Sequence, residues 1–195
     1  MNYNELVKEA LEKYSVNGLG GWMSVIDRDW ISQFLTTKFD RNVTIEIAEV
    51  GVFQGGSSLI YLVALPNCKF HAIDNWLGGP ASPGFETIKE GFIYFTKQFE
   101  DRIVMHSGDS TEIGKQWNIE LDLCMVDANH DLHFPREDIF YYSKWIKKNG
   151  YLLIDDYDMP NVKQAVDFMI LNHPNWKFIH NTVPDGGKVI TFQRM

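Results

Sequence analysis

Over the first 42 positions apolar residues recur at helical spacing. Leu6, Val7, Ala10, Leu11 and Tyr14 fall on one face of a helix over 4–14, which Asn17-Gly18-Leu19-Gly20-Gly21 ends. A second helix is predicted from near Ser24 to about Thr36, carrying Ile26, Trp30, Ile31, Phe34 and Leu35. From residue 43 the pattern changes to short apolar runs: VTIEIAEV, KFHAID, RIVMHS, LDLCMVD and GYLLIDD. Helical stretches at about 58–65, 86–99, 136–148 and 161–172 separate most of them. Strands alternating with helices predict a parallel sheet, because parallel neighbours need crossover connections. Runs without clean alternation suit strands covered on both faces. The end differs: WKFIHNT and KVITFQRM flank Val183-Pro184-Asp185-Gly186-Gly187, which reads as an antiparallel hairpin. The fold class is therefore α/β, an open and mostly parallel sheet with a C-terminal hairpin and helices on both faces. One domain is expected over 1–195, with 1–42 a helical preface and 43–195 the core.

Composition narrows the function. The 195 residues are 45% hydrophobic and 23% charged, ordinary for a soluble globular protein. A net charge of −8 argues against a nucleic-acid binder that works through a broad basic surface. No apolar run approaches the roughly 20 residues of a membrane span, and the N-terminus mixes charge with apolar residues, unlike a signal peptide. Cys68 and Cys124, 56 positions apart, form neither a metal pattern nor a disulfide framework. They read as buried free thiols of a cytoplasmic protein. A homo-oligomer is compatible with all of this.

In open α/β sheets ligands bind outside the carboxyl ends of the strands, and here nearly every strand ends in acid. The first leads into Glu49-Val50-Gly51-Val52-Phe53-Gln54-Gly55-Gly56-Ser57-Ser58. Glycines there allow a tight strand-to-helix turn and close backbone approach to a ligand. The spacing is not the dinucleotide fingerprint G-x-G-x-x-G. The acid before the first glycine would repel a pyrophosphate and tolerate a cationic ligand. Asp74, ending the second strand, is suited to bind ribose hydroxyls, or to cap a turn with Asn75. Asp109 and Ser110 follow the third strand, where either can cap a helix beginning at Thr111. Asp127 ends the fourth strand and Asp155-Asp156 the fifth. If those strands are neighbours, three carboxylates converge. Such like charges need a cation or a shared proton, and oxygen ligands without Cys favour Mg²⁺, Mn²⁺ or Ca²⁺ over Zn²⁺. The competing reading has Asp155 or Asp156 capping the loop and Asp127 paired with a lysine. His130 is a candidate general base or extra ligand, since an unperturbed histidine titrates near neutrality. His133 reads as structural, His71 and His106 as packing residues within strands, and Asp131 and Asp138 as solvated or capping. The Gly- and Pro-rich stretch 76–85, with Trp76 and Phe85, reads as a loop over the site, and residues 20–24 as its other side.

The segments IAEVGVFQGGSSLIYL, FHAIDNW, VMHSGDS, DLCMVDANHDLHFPREDI and KKNGYLLIDDYDMPNVKQAV resemble the class I S-adenosylmethionine-dependent methyltransferases. The resemblance covers roughly 44–167. It is closer still to the macrocin-type sugar O-methyltransferases and cephalosporin hydroxylase-like proteins. It implies a seven-stranded sheet whose last strand is antiparallel. It also implies that Glu49, Gly51, Gly55, Gly56 and Ser57 hold the methionine part of the cofactor, Asp74 the ribose, and Asp109 with Ser110 the adenine end. It adds a divalent metal, Mg²⁺ first among the candidates, on Asp127, Asp155 and Asp156, with His130 and Asp127 in the transfer step. The implied reaction is O-methylation of a sugar, glycoside or other small molecule with vicinal hydroxyls. A metal has a chemical purpose there: it lowers the pKa of bound water from about 15.7 to roughly 7, and a bound hydroxyl shifts the same way. Related sugar methyltransferases are often longer, so the acceptor class carries over least securely. Three rivals stand beside this reading: a nicotinamide-dependent oxidoreductase, a cephalosporin hydroxylase-like protein with other chemistry, and a non-catalytic module that keeps the cofactor fold. Glu49 and the missing fingerprint oppose the first, and the intact acids oppose the last.

Overall fold

The computed structural model describes residues 23–78, 84–131 and 133–195. The helix expected over 4–14 and the glycines at 18, 20 and 21 lie outside them. Helix α1 (Val25–Lys38) starts at Ser24, whose side chain accepts the Asp27 N–H at 3.1 Å. This is the preference of serine for the N-cap put to use. In chain order there follow β1 (Ile45–Val50), α2 (Ser58–Ala64), β2 (Cys68–Asp74), α3 (Ile88–Thr96), β3 (Ile103–Ser107) and α4 (Ser110–Gln116). The second half holds β4 (Leu121–Val126), α5 (Phe134–Ser143), β5 (Ile146–Ile154), α6 (Pro160–Val166), β6 (Trp176–Asn181) and β7 (Ile190–Arg194). The seven strands make one sheet in the order β3-β2-β1-β4-β5-β7-β6. The first five are mutually parallel, and β7 runs antiparallel to both β5 and β6.

The alternation hidden in the apolar runs appears once both faces are seen. In β1, Ile45 and Ile47 join one core with Phe34, Leu35, Ile60 and Phe92, while Ala48 and Val50 join the other with Ile139, Tyr142, Val162 and Val166. In β4, Leu123 and Met125 face the first core and Cys124 and Val126 the second. Both faces are buried, so both parities are apolar and no polar stripe survives in the sequence.

Three helix ends differ from the sequence pattern. The helix expected over 136–148 stops at Ser143, and β5 takes residues 146–148. There Ile146 is pulled into the sheet opposite Leu121, ahead of a register shift. The helix over 161–172 is a short α-helix followed by a π-helical turn, Asp167–Leu171. The helix over 86–99 starts at a capping box, Thr87 with Glu90, and passes into a 3₁₀ turn, Lys97–Arg102. Apolar periodicity continues through such turns and does not mark where the α-helix ends. Cys68 and Cys124 are buried free thiols.

The topology brings the ends of β1, β2, β4 and β5 to one rim, where the order reverses between β1 and β4. That is the switch point at which open sheets of this class open a crevice.

Candidate active site

A cavity of about 500 Å³ opens at that rim. Gly51, Val52, Phe53, Gly56 and Ser57 line one side, with Asp74, Asp109 and Ser110 beyond them. Asp127, Asn129, His130, Asp155, Asp156 and Lys188 line the other, and Met23, Phe134 and Met159 supply apolar surface.

The loop after β1 is held by its neighbours. Gly51 has φ +89, and a Cβ there would fall 2.0 Å from the Asp127 carbonyl oxygen. Glycine is required because the loop presses against the backbone leaving β4. Its N–H donates to the Ile73 carbonyl oxygen at 2.8 Å, and the Asp127 N–H to that of Val50 at 2.8 Å. Phe53 is held at φ 48. Its N–H donates to Asp74 Oδ2 at 2.9 Å, and the Trp76 N–H donates to Asp74 Oδ1 at 2.7 Å. Asp74 therefore welds the loop to the end of β2 while facing the cavity, so the turn-capping and ligand-facing readings meet in one side chain. Burial raises its pKa.

Two of the expected loop residues are buried. Glu49 does not face the cavity. It is fully buried beneath the loop, where the Ser58 hydroxyl donates to its Oε2. Burial pushes its pKa up to about 8, so at neutral pH it holds a proton and presents no charge to a ligand. Gly55 has φ +88, and a Cβ there would meet Phe92 and Thr96 at 3.1 Å. The packing of α3 on the turn and the left-handed backbone already call for glycine at 55. Gly56 and Ser57 do line the cavity.

Asp109 serves as the N-cap of α4. Its Oδ1 accepts the N–H groups of Thr111 at 2.9 Å and Glu112 at 3.2 Å, and the Thr111 hydroxyl at 2.7 Å. The cap reading holds, and the same side chain lines the cavity. Asp138, expected to be solvated or capping, is wholly buried, and its pKa is pushed up to about 7 by that burial. His71 and His106 pack within the sheet and share a 3.0 Å contact, with Glu46 2.8 Å from the far side of His71. His133 sits outside the cavity, stacked on Phe134 with ring centroids 4.6 Å apart. Trp76 is turned away: its indole N–H donates to Ser107 Oγ at 2.8 Å and its ring packs on Phe92. Phe85 packs on Tyr94 and Phe95. Residues 79–83 of the expected loop lie outside the described residues.

On the acidic side, β4 and β5 are neighbours, as the three-carboxylate reading requires. The convergence has a different membership. Among the described residues, the group whose ligand atoms all lie within 4.8 Å of one another is Asp127, His130 and Asp156. Asp155 lines the cavity without joining that group. His130 Nε2 is 2.8 Å from Asp156 Oδ2 and 3.9 Å from Asp127 Oδ1. This pairing pushes the His130 pKa up to about 10, well above the near-neutral value expected of a free base. Asp155 is buried, and burial together with Asp127 lifts its pKa to about 8. Burial lifts Asp127 to about 6. Asp156, at φ 52, has a lowered pKa because His130 and Lys188 both bond to it, outweighing its burial. Lys188 Nζ lies 2.7 Å from Asp156 Oδ1. A lysine partner was the competing reading for this cluster, and the acid that has it is Asp156, not Asp127. Lys188 itself carries no signal in the sequence, since a lysine after two glycines in a turn reads as solvated.

The donor set of two carboxylates and one imidazole, with a third carboxylate beside it, suits a hard divalent cation. The cavity thus joins a backbone cradle with a ribose-type acid to a cluster able to hold a cation or move a proton. Residues 48–157 match the model of a protein family described as a methyltransferase domain.

The chain belongs to that family.

The architecture of this methyltransferase domain recurs in solved structures at low identity. The S-adenosylhomocysteine-bound Podospora anserina methyltransferase PaMTH1 superposes with a TM-score of 0.67 at 16% identity, over 98% of this chain and 88% of that one. The MycE methyltransferase of the mycinamycin biosynthetic pathway, in complex with Mg, S-adenosylhomocysteine and mycinamycin VI, gives 0.63 at 13% identity, over 97% of this chain and 54% of its own length. An rRNA methylase from Streptococcus thermophilus gives 0.62 at 12% identity, over 86% of this chain and 95% of that one. No curated protein sequence matches the chain. No described helix is long and apolar enough to cross a membrane.

Proposed function

We propose that this methyltransferase domain transfers a methyl group from S-adenosylmethionine to a hydroxyl of a small molecule with neighbouring hydroxyls, a sugar or glycoside, assisted by a divalent cation such as Mg²⁺. One observation carries the reading. The Asp127–His130–Asp156 group stands across a single cavity from the Gly51–Ser57 loop and Asp74. A methyl donor on the loop side and a hydroxyl on the acidic side would then face each other. Gly56 and Ser57 are the loop residues for the methionine part, Asp74 for the ribose hydroxyls, and Asp109 with Ser110 for the adenine end. The MycE complex, which holds Mg and S-adenosylhomocysteine on a sheet of this kind, supports the pairing of cofactor and cation.

The reaction forms one bond and breaks another at the methyl carbon. The acceptor oxygen bonds to the carbon, the sulfonium takes the departing electron pair as a thioether, and the hydroxyl proton must leave. Much of the rate comes from holding the partners in line. A divalent cation on Asp127, His130 and Asp156, when bound, acidifies the hydroxyls that touch it. Asp127, a carboxylate that lines the cavity beside His130, is placed to accept the proton. His130 already carries a proton while it is paired with both acids. It serves as a base only when those acids are engaged elsewhere. Met23, Phe134 and Met159 give the acceptor an apolar flank. The net charge of −8 and the acids around the cavity favour a small-molecule acceptor over nucleic acid.

The test uses calorimetry and turnover together. S-adenosylhomocysteine is expected to bind and NAD is not. Asp74→Asn is expected to weaken S-adenosylhomocysteine about tenfold to a hundredfold, the loss of one charged hydrogen bond of about 1.5–3 kcal/mol. Exhaustive chelation is expected to stop transfer to vicinal-diol glycosides while leaving cofactor affinity intact. Binding of NAD in place of S-adenosylhomocysteine defeats the cofactor assignment. Full transfer after chelation defeats the cation.

A further inference from the structure

Lys188 reaches the acidic cluster from the far end of the chain, and the route by which it is held is unusually well bonded. It follows Gly186 and Gly187 after a short 3₁₀ turn, Val183–Asp185. Gly187 can only be glycine, because a Cβ there would come within 2.5 Å of both Asp27 Oδ1 and Thr182 Oγ1. Asp27, in the first turn of α1, is completely buried. Its carboxylate accepts the Lys188 N–H at 3.0 Å, the Val189 N–H at 3.2 Å and the Ser24 hydroxyl at 2.6 Å. The Thr182 hydroxyl donates to the same carboxylate, and Thr182 Oγ1 accepts the Val189 N–H at 2.8 Å. On its other side the Lys188 carbonyl accepts the Tyr157 N–H at 2.9 Å, one residue beyond Asp156. The backbone of Lys188 is therefore fixed between α1 and the end of β5.

That fixed backbone puts the ammonium on Asp156 Oδ1 at 2.7 Å, while His130 Nε2 takes Oδ2 at 2.8 Å. Each oxygen of Asp156 thus has a nitrogen within 2.8 Å, the Lys188 ammonium on one and the His130 ring on the other. A divalent ion held by Asp127, His130 and Asp156 must win an oxygen of Asp156 from one of them. The ammonium can leave on its flexible stem.

We propose that Lys188, seated by Asp27, sets how tightly this cluster holds a divalent cation, by competing with the ion for Asp156. The inference rests on the cation reading of Asp127, His130 and Asp156. Removing the ammonium frees one oxygen of Asp156 and takes a positive charge from beside the ion, and both changes favour binding. Asp27 acts through Lys188 as a positioning residue. Loosening the 182–189 segment lets the ammonium drift and moves the affinity in the same direction by less.

The test is a titration of the purified full chain with Mn²⁺ alone, followed by calorimetry and by the paramagnetic signal of the free ion. Lys188→Met is expected to bind Mn²⁺ at least tenfold more tightly than the wild type, and Lys188→Arg to restore weak binding. Asp27→Asn is expected to fall between wild type and Lys188→Met. Lys188→Gln stands in if Lys188→Met does not fold, as judged by S-adenosylhomocysteine binding. Wild-type binding of Mn²⁺ that is unchanged or weaker in the Lys188 variants overturns the inference while leaving the cation reading intact. If neither wild type nor variant binds Mn²⁺ at millimolar concentration although both bind S-adenosylhomocysteine, the cation reading falls and the inference falls with it.

Discussion

Two glycines in one turn answer to different neighbours, and that separates their expected behaviour. Gly51 has the Asp127 carbonyl 2.0 Å from where a Cβ would sit. That atom is backbone and belongs to the sheet, so Gly51→Ala is expected to lose more than about 3 kcal/mol, at the severe end for a point change. Gly55 meets only side chains, at 3.1 Å, and its cost is chiefly the left-handed backbone. Gly55→Ala is expected to cost about 1–2 kcal/mol. Its folded fraction should bind S-adenosylhomocysteine normally, because the new methyl points to Phe92 and Thr96. Chemical denaturation with calorimetry on both variants checks this. A Gly55→Ala protein of normal stability with lost affinity would put the ligand back against residue 55. Glu49 adds a pH dependence. Its folded pKa of about 8 lies above the ordinary glutamate value of 4.5, so the unfolded chain ionises first as pH rises. Stability from this group is complete below about pH 4.5, falls between there and about pH 8, and is flat above, with each unit worth about 1.4 kcal/mol at most. Glu49→Gln is expected to flatten that fall in melting temperature and to leave the acid side unchanged.

The strands were the most legible elements, because a strand buried on both faces must be apolar at both parities, as Ile45, Ile47, Ala48 and Val50 show. The acids at the rim were legible too, since the end of each strand marks where chemistry collects. Helix ends were not, because 3₁₀ and π turns keep apolar spacing while changing the hydrogen bonding. Membership of the acidic cluster was read only in part. Spacing gives Asp155 and Asp156 equal claims, and only the backbone at Asp156, with φ 52, aims one of them at His130. Lys188 was illegible because its position depends on Asp27, 161 positions away. At α4 the element-scale expectation is direct. Asp109 caps three groups with one oxygen, so Asp109→Ala is expected to cost about 0.5–2 kcal/mol. Asp109→Ser should recover much of that, because serine caps without the charge. If affinity for S-adenosylhomocysteine falls in both variants alike, the carboxylate also serves the ligand. If it holds in both, the cap is its whole purpose.

At the scale of the whole molecule, fold alone leaves the acceptor open, because a similar fold occurs in an rRNA methylase and in the MycE methyltransferase of the mycinamycin biosynthetic pathway alike. Charge separates the two classes. A protein that binds a polyanion gains affinity from each phosphate it neutralises with Lys or Arg. This chain has 18 Lys and Arg against 26 Asp and Glu. Of its cations, Lys188 is engaged with Asp156, Lys147 with Asp122, Lys163 with Asp167 and Lys115 with Glu112. The rim of the cavity adds the acids Asp74 and Asp109, so a phosphate backbone approaching from that side meets its own sign of charge. Structured RNA is therefore expected to show no binding tighter than about 100 µM even at low salt, where a phosphate-binding surface would be at its strongest. Fluorescence anisotropy with a labelled hairpin, read at two ionic strengths, measures this. Binding that weakens steeply as salt rises would reveal a basic surface and would move the acceptor from a neutral polyol to a nucleic acid. Neutral glycosides, by contrast, are expected to be taken with little dependence on salt, since apolar contact with Met23, Phe134 and Met159 and hydroxyl contact with the acids involve no net charge on the acceptor.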